Sequence, residues 1–204
     1  MYSPPRLPAI VSITTLIVAG CTGNTGGIAK TDSTSDNQSA ATSTSGTVAN
    51  TLMEPHPAPT DNNNGTSFDP CLAYSAAELK SWGVMPGSVK DLGIGDTIQR
   101  GCRWSGDGWE LQQLVIDRPV DDYLNQKLFA GSEAVMIEGL KAVKWRDEAD
   151  PQRVCHVELP AEKSAVGVLV GVNSPQAMKA IPDACDKALN IAADVAKKLP
   201  KQRK

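Results

Sequence analysis

Cys102-Arg103-Trp104-Ser105-Gly106-Asp107-Gly108-Trp109-Glu110-Leu111-Gln112-Gln113-Leu114-Val115-Ile116-Asp117 is the stretch whose reading decides the fold class. Cys102 and Trp104 alternate with Arg103, and Trp109 to Asp117 returns as a second extended run. Between them, Ser105-Gly106-Asp107-Gly108 is turn chemistry, because glycine accepts the backbone angles that a tight reversal demands. The stretch reads as a β-hairpin. Three more extended runs follow: 134–146 with a break at Gly139, then 153–159, then 165–173.

Helical signals flank these strands. Ser75-Ala76-Ala77-Glu78 is a capping box, with Tyr74 and Leu79 placed as the apolar staple around it. It predicts a helix from Ala76 to Trp82 that stops at Gly83. Residues 84–99 read as loop, marked by Pro86-Gly87 and Gly93-Ile94-Gly95-Asp96. Pro119 suits a first helical turn, and Val120, Tyr123, Leu124, Lys127 and Leu128 then share one face. A last helix is expected from Ala184, capped by Asp183, to Leu199, with Cys185, Leu189, Ala192, Ala196 and Leu199 along its apolar side. Strands and helices without βαβ alternation predict an α+β fold: an antiparallel sheet of five or six strands with helices packed on one face.

Upstream the chain changes character. Arg6 precedes an apolar run from Leu7 to Gly20, too short to span a bilayer, which needs about 20 residues. Leu16-Ile17-Val18-Ala19-Gly20-Cys21 closes it with the small-small-Cys pattern of a bacterial lipobox. Residues 1–20 therefore read as a lipoprotein signal peptide. Cys21 becomes the lipidation site: its thiol takes a diacylglyceryl group and its freed amine a fatty acid such as palmitate. The rival reading is an ordinary signal peptide beside a chance cysteine. Residues 21–67 form the expected tether, rich in Ser, Thr, Asn, Gly and Pro, with no aromatic residue. Such a segment buries too little apolar surface to offset its ordering entropy. Treated as a coil it reaches roughly 40 Å. The globular domain is expected over 68–204, ending in the basic run Lys197, Lys198, Lys201, Arg203 and Lys204.

With Cys21 assigned to lipid, Cys71, Cys102, Cys155 and Cys185 remain. In an exported domain an even count reads as a disulfide framework. Zinc ligands would need short spacings such as CxxC, and none is present. Three pairings are formally open. The pleat puts Cys155 on one face with Val157 and Leu159, and Cys185 lies on the apolar side of the last helix. Cys102 shares its face with Trp104. This favours Cys71–Cys102 and Cys155–Cys185, each worth roughly 3.7 kcal/mol in the chain-entropy account.

Phe68-Asp69-Pro70-Cys71, Arg100-Gly101-Cys102-Arg103-Trp104, Ile137-Glu138-Gly139, Cys155 in a strand and Asp183-Ala184-Cys185 form an ordered set behind the lipobox. In these residues the chain resembles the actinobacterial domain-of-unknown-function lipoproteins that include LprB and LprC of mycobacteria. That resemblance implies a cell-envelope location and a disulfide-stapled domain, and it carries over no catalytic residue. The order of elements is also similar to PsbP-like folds, an analogy of architecture only.

Catalytic signatures are sparse. His56 falls in the tether, and His156 points away from Cys155 and reads as a surface residue. Gly-x-Ser-x-Gly, Ser-x-x-Lys and His-Glu-x-x-His are not found. Asp121-Asp122 reads as helix N-terminal charge, and Asp147-Glu148-Ala149-Asp150 as a solvated loop without EF-hand spacing. No cofactor and no metal are expected. The formal net charge of -3 argues against nucleic acid as a partner. Trp82, Trp109, Trp145 and Arg146 form the candidate binding patch, since tryptophan and arginine concentrate at binding hot spots. The expectation is a lipid-anchored, non-enzymatic binding or accessory module on the extracytoplasmic face of the cell membrane. Its partner would be an envelope protein, a cell-wall polymer or a small apolar ligand. The alternatives are an envelope hydrolase or transferase using surface carboxylates, and a purely structural lipoprotein.

Overall fold

The structure is a computed structural model that describes residues 58–95 and 98–200. Cys21, His56 and Lys201 to Lys204 lie outside the described residues. Helix α1 spans Ala76–Trp82. The strands are β1 (Lys90–Asp91), β2 (Gln99–Ser105), β3 (Trp109–Ile116), β4 (Glu133–Ile137), β5 (Leu140–Arg146), β6 (Val154–Ala161) and β7 (Ser164–Val172). Helices α2 (Pro175–Ala180) and α3 (Ala184–Ala196) complete the chain. No described helix is long and apolar enough to cross a membrane.

All seven strands form one antiparallel sheet in the order β1-β2-β3-β7-β6-β5-β4. That is one strand beyond the upper expectation, and the extra one is β1. Its two residues, Lys90 and Asp91, pair with Arg103 and Cys102, and carry no apolar alternation that would betray a strand. The broken run 134–146 is the hairpin β4–β5, turning at Glu138 and Gly139, both at positive φ.

Register fixes two faces. Cys102 and Trp104 on β2 stand beside Gln113 and Leu111 on β3, which stand beside Val168 and Val170 on β7. Val157 and Cys155 on β6 continue the same rows. These side chains are buried under α3 and α1. Ala184, Ala188 and Ala192 are small enough to bring α3 close to the sheet, and Ile191 and Val195 fill the gaps. The buried stripe is thus rotated from the expected one: Leu189, Ala196 and Leu199 are only half-buried. The helix also ends at Ala196, not Leu199.

The opposite face is covered by a consequence of strand order. β3 sits in the middle of the sheet and β4 at its edge, so the chain between them must cross β7, β6 and β5. Residues 117–132 make that crossing. The helix expected from Pro119 is only a 3₁₀ turn over Val120–Leu124, because Tyr123 is drawn down onto the sheet beside Val143 and Ala165. A short tight turn delivers that side chain without a full amphipathic helix.

Two further elements correct the loop readings. Pro86–Ser88 is a 3₁₀ turn inside the expected 84–99 loop. The unexpected α2 starts at Ser174, whose hydroxyl accepts from the Ala177 N–H at 3.1 Å, with Pro175 next in its first turn. Packed chain also begins ahead of the expected boundary at Phe68. Asn63 and Thr66 are buried, and the guanidinium of buried Arg100 donates to the carbonyls of Asn63, Thr66 and Phe68, each at 2.8 Å. An arginine placed there supplies donors to a loop that has no strand partner.

The cysteines pair as Cys71–Cys102 and Cys155–Cys185, with Cα separations of 5.2 and 5.0 Å. The first ties the segment before α1 to β2. The second ties α3 to β6, beside a second clamp in which Arg146 grips Asp183 through two hydrogen bonds of 2.9 and 2.7 Å.

Candidate functional site

The expected patch divides in two. Trp82 and Trp109 come together, lining one surface groove of about 600 Å³. Trp145 and Arg146 line a different, smaller one of about 410 Å³. Both Trp82 and Trp109 are more deeply buried than a hot-spot reading of their neighbours suggests, at 5% and 6% exposed.

The larger groove is built by the turn chemistry that first signalled the hairpin. Trp109 opens β3 directly after Gly108, and its indole lies over Gly106. A Cβ on Gly106 would fall 2.1 Å from the indole nitrogen, so only glycine gives this ring its seat. The Asn173 and Ser174 N–H groups donate to the Gly108 carbonyl at 2.8 and 3.1 Å, which docks α2 against the turn. α1 ends at Gly83 in the left-handed region, bringing Trp82 to the groove wall. There its indole N–H donates to Asp194 at 3.0 Å, and Tyr74 packs edge-on against its ring at 4.8 Å.

Lys187 of α3 reaches across this groove. Its ammonium sits 5.1 Å from the centre of the Trp109 ring. Burial lowers its pKa, and no carboxylate of the described residues pairs with it. Lys179 and Gln176 of α2, both exposed, stand on the rim, with Asp107 from the turn. The result is a cleft with aromatic walls and an excess of cationic donors.

Trp145 belongs to the other face of the sheet. It stacks on His156 at 4.5 Å and on Tyr123 at 5.2 Å, with Phe129 tilted against it at 5.0 Å. His156 is therefore half-buried under an indole, not the surface residue its strand position suggests; burial takes its pKa from 6.5 down to about 4. The crossing segment that covers it is not visible in strand alternation. Two residues along β6, Glu158 is 6% exposed. Its carboxyl oxygens occupy the space over Gly167, where a Cβ would lie within 2.8 and 2.9 Å of them. Burial raises this carboxyl from 4.5 to about 8, against a smaller lowering from Arg118, so it is uncharged at neutral pH. The buried hydroxyl of Tyr123 has no hydrogen-bond partner, and burial pushes its pKa up as well. Glu158 and Arg118 were not among the expected site residues. A lone Glu among Val157, Leu159 and Pro160 was the available signal for the first.

Arg146 is occupied structurally, since its guanidinium also donates to the Pro151 carbonyl at 2.6 Å. Among the described residues, no group of three His, Cys, Asp or Glu side chains could hold a metal ion.

These features define a disulfide-stapled α+β domain with a surface groove that joins Trp82 and Trp109 to Lys179 and Lys187, and a buried acid, Glu158, beneath a crossing segment. The chain belongs to the family described as protein of unknown function (DUF3558), whose profile matches residues 16–198. No curated protein matches the chain, and no solved structure does.

Proposed function

We propose that this chain is a lipid-anchored lipoprotein of the cell envelope that acts as a non-enzymatic binding or accessory module. Within its family it sits with the actinobacterial lipoproteins that include mycobacterial LprB and LprC. The observation that carries the reading is the position of the groove relative to the chain entry. The Asp117 N–H donates to the Asn62 carbonyl, and the Lys163 N–H to the Gly65 carbonyl, so residues 60–67 lie where β3 ends and β7 begins. Trp109 and the β2–β3 turn lie at the other end of the same strands. A domain hung from Cys21 would be held from the end opposite its groove, by a coil that leaves its orientation free.

Supporting it, the family match takes in Leu16 to Cys21, the lipobox itself. Two disulfides suit an oxidising compartment outside the cytoplasm. The space between sheet and α3 is filled by Val157, Val168, Ile191 and their neighbours, which favours a partner on the surface over a small apolar ligand in the core. The hydrolase or transferase alternative calls for surface carboxylates, whereas the carboxyl with a raised pKa, Glu158, is buried beneath the crossing segment.

Fractionation of cells carrying wild type or Cys21→Ala tests the anchor. Wild type is expected in the membrane fraction with an intact mass raised by lipid, and the variant is expected released or unprocessed. A soluble wild-type protein without added lipid mass would overturn the reading.

A further inference from the structure

We infer that the groove beside Trp109 binds an oxyanion, a phosphate or carboxylate group on its ligand, through Lys187 and Lys179. This deepens the proposed function by naming a ligand class, and it rests on the groove being the binding surface. Three observations converge. Lys187 is half-buried with no carboxylate partner among the described residues. The Trp109 ring attracts its ammonium at 5.1 Å but leaves its charge unneutralised. Lys179 stands on the same groove and is likewise without an ion pair, while its one lining carboxylate, Asp107, bonds to neither lysine.

The chemistry is that of an incomplete ion pair. A cation held partly out of water is disfavoured until an anion joins it. The other half-buried lysine among the described residues has such a partner: Lys144 meets Glu133 at 2.6 Å. Lys187 is the exception, and it lines a cleft. The groove's roughly 600 Å³ accommodates a phosphorylated or acidic monosaccharide-sized group, with the exposed amide of Gln176 available at its rim.

The test is calorimetric titration of the full chain carrying Cys21→Ser with inorganic phosphate and, separately, with glucuronate. Both are run against sodium chloride at matched ionic strength. Saturable binding of at least one anion is expected, weakened about tenfold or more by Lys187→Met. The methionine keeps an apolar stem over Trp109, so the fold is expected to hold. Lys163→Met, at the opposite end of the strands, serves as the control and is expected to leave binding unchanged. Should Lys187→Met fail to fold, Lys179→Met decides, with a several-fold loss expected. Binding of neither anion would overturn the inference, as would binding indifferent to both lysines. The anchor reading is tested by lipid mass and is untouched by either outcome.

Discussion

Glu158 and His156 set opposing pH limits from neighbouring positions on one strand. Glu158 has a folded pKa of about 8 against an ordinary 4.5. The unfolded chain therefore loses this proton first, and stability falls as pH rises from about 4.5 through about 8. His156 is depressed to about 4 from 6.5, so the unfolded chain takes up a proton first as pH drops. Its contribution is present above about 6.5 and lost towards about 4. Between about 4.5 and 6.5 the two slopes oppose each other, and stability should be flat there. Urea unfolding across this range checks it. Glu158→Gln should remove the alkaline loss and stabilise the protein at about pH 8 by roughly 4 kcal/mol. A wild-type loss that survives in Glu158→Gln would assign it elsewhere. Neither shift was legible from sequence, because alternation along 153–159 says which face a residue takes but not what covers that face.

At the scale of elements, two devices hold separate pieces of chain. Arg100 secures residues 60–68 through three carbonyls and lies 3.9 Å from Asp69. Arg100→Met is expected to leave those carbonyls unpaired and cost roughly 2–3 kcal/mol. Hydrogen exchange would show the loss concentrated at 60–68, whereas uniform loss would mean the arginine supports the sheet itself. The Cys155–Cys185 bond fastens α3 to β6. Replacing both by serine should cost about 2–5 kcal/mol and lower the melting temperature, with a smaller effect of reductant than in wild type. Elements with local chemistry were readable: the capping box fixed α1, and Asp183 fixed the start of α3. α2 was missed although Ser174-Pro175 signals a helix start, because six residues carry little periodicity. The crossing segment was misread as helical because Val120, Tyr123 and Leu124 satisfy a helical spacing that their contacts with Val143 and Ala165 override.

For the whole molecule, strand order was the least legible property and the most consequential. Nothing local to β3 or β7 announces that they pair, yet that pairing joins the first hairpin to the β4–β7 meander. It forces residues 117–132 across one face and leaves α3 the other. It also sets the chain entry and the Trp109 groove at opposite ends of the strands. The expected patch of Trp82, Trp109, Trp145 and Arg146 divides for the same reason: Trp82 and Trp109 line one groove, while strand order places Trp145 and Arg146 of β5 at another. The central claim is an anchored domain that meets its partner through this groove. Site-specific photocrosslinking in intact cells addresses it most directly, with the probe at Gln176 on the groove rim or at Lys163 near the chain entry. A discrete adduct from Gln176, confined to the membrane fraction and lost with Cys21→Ala, is the predicted result. Adducts from Lys163 but none from Gln176, or adducts to cytoplasmic components, would contradict the account.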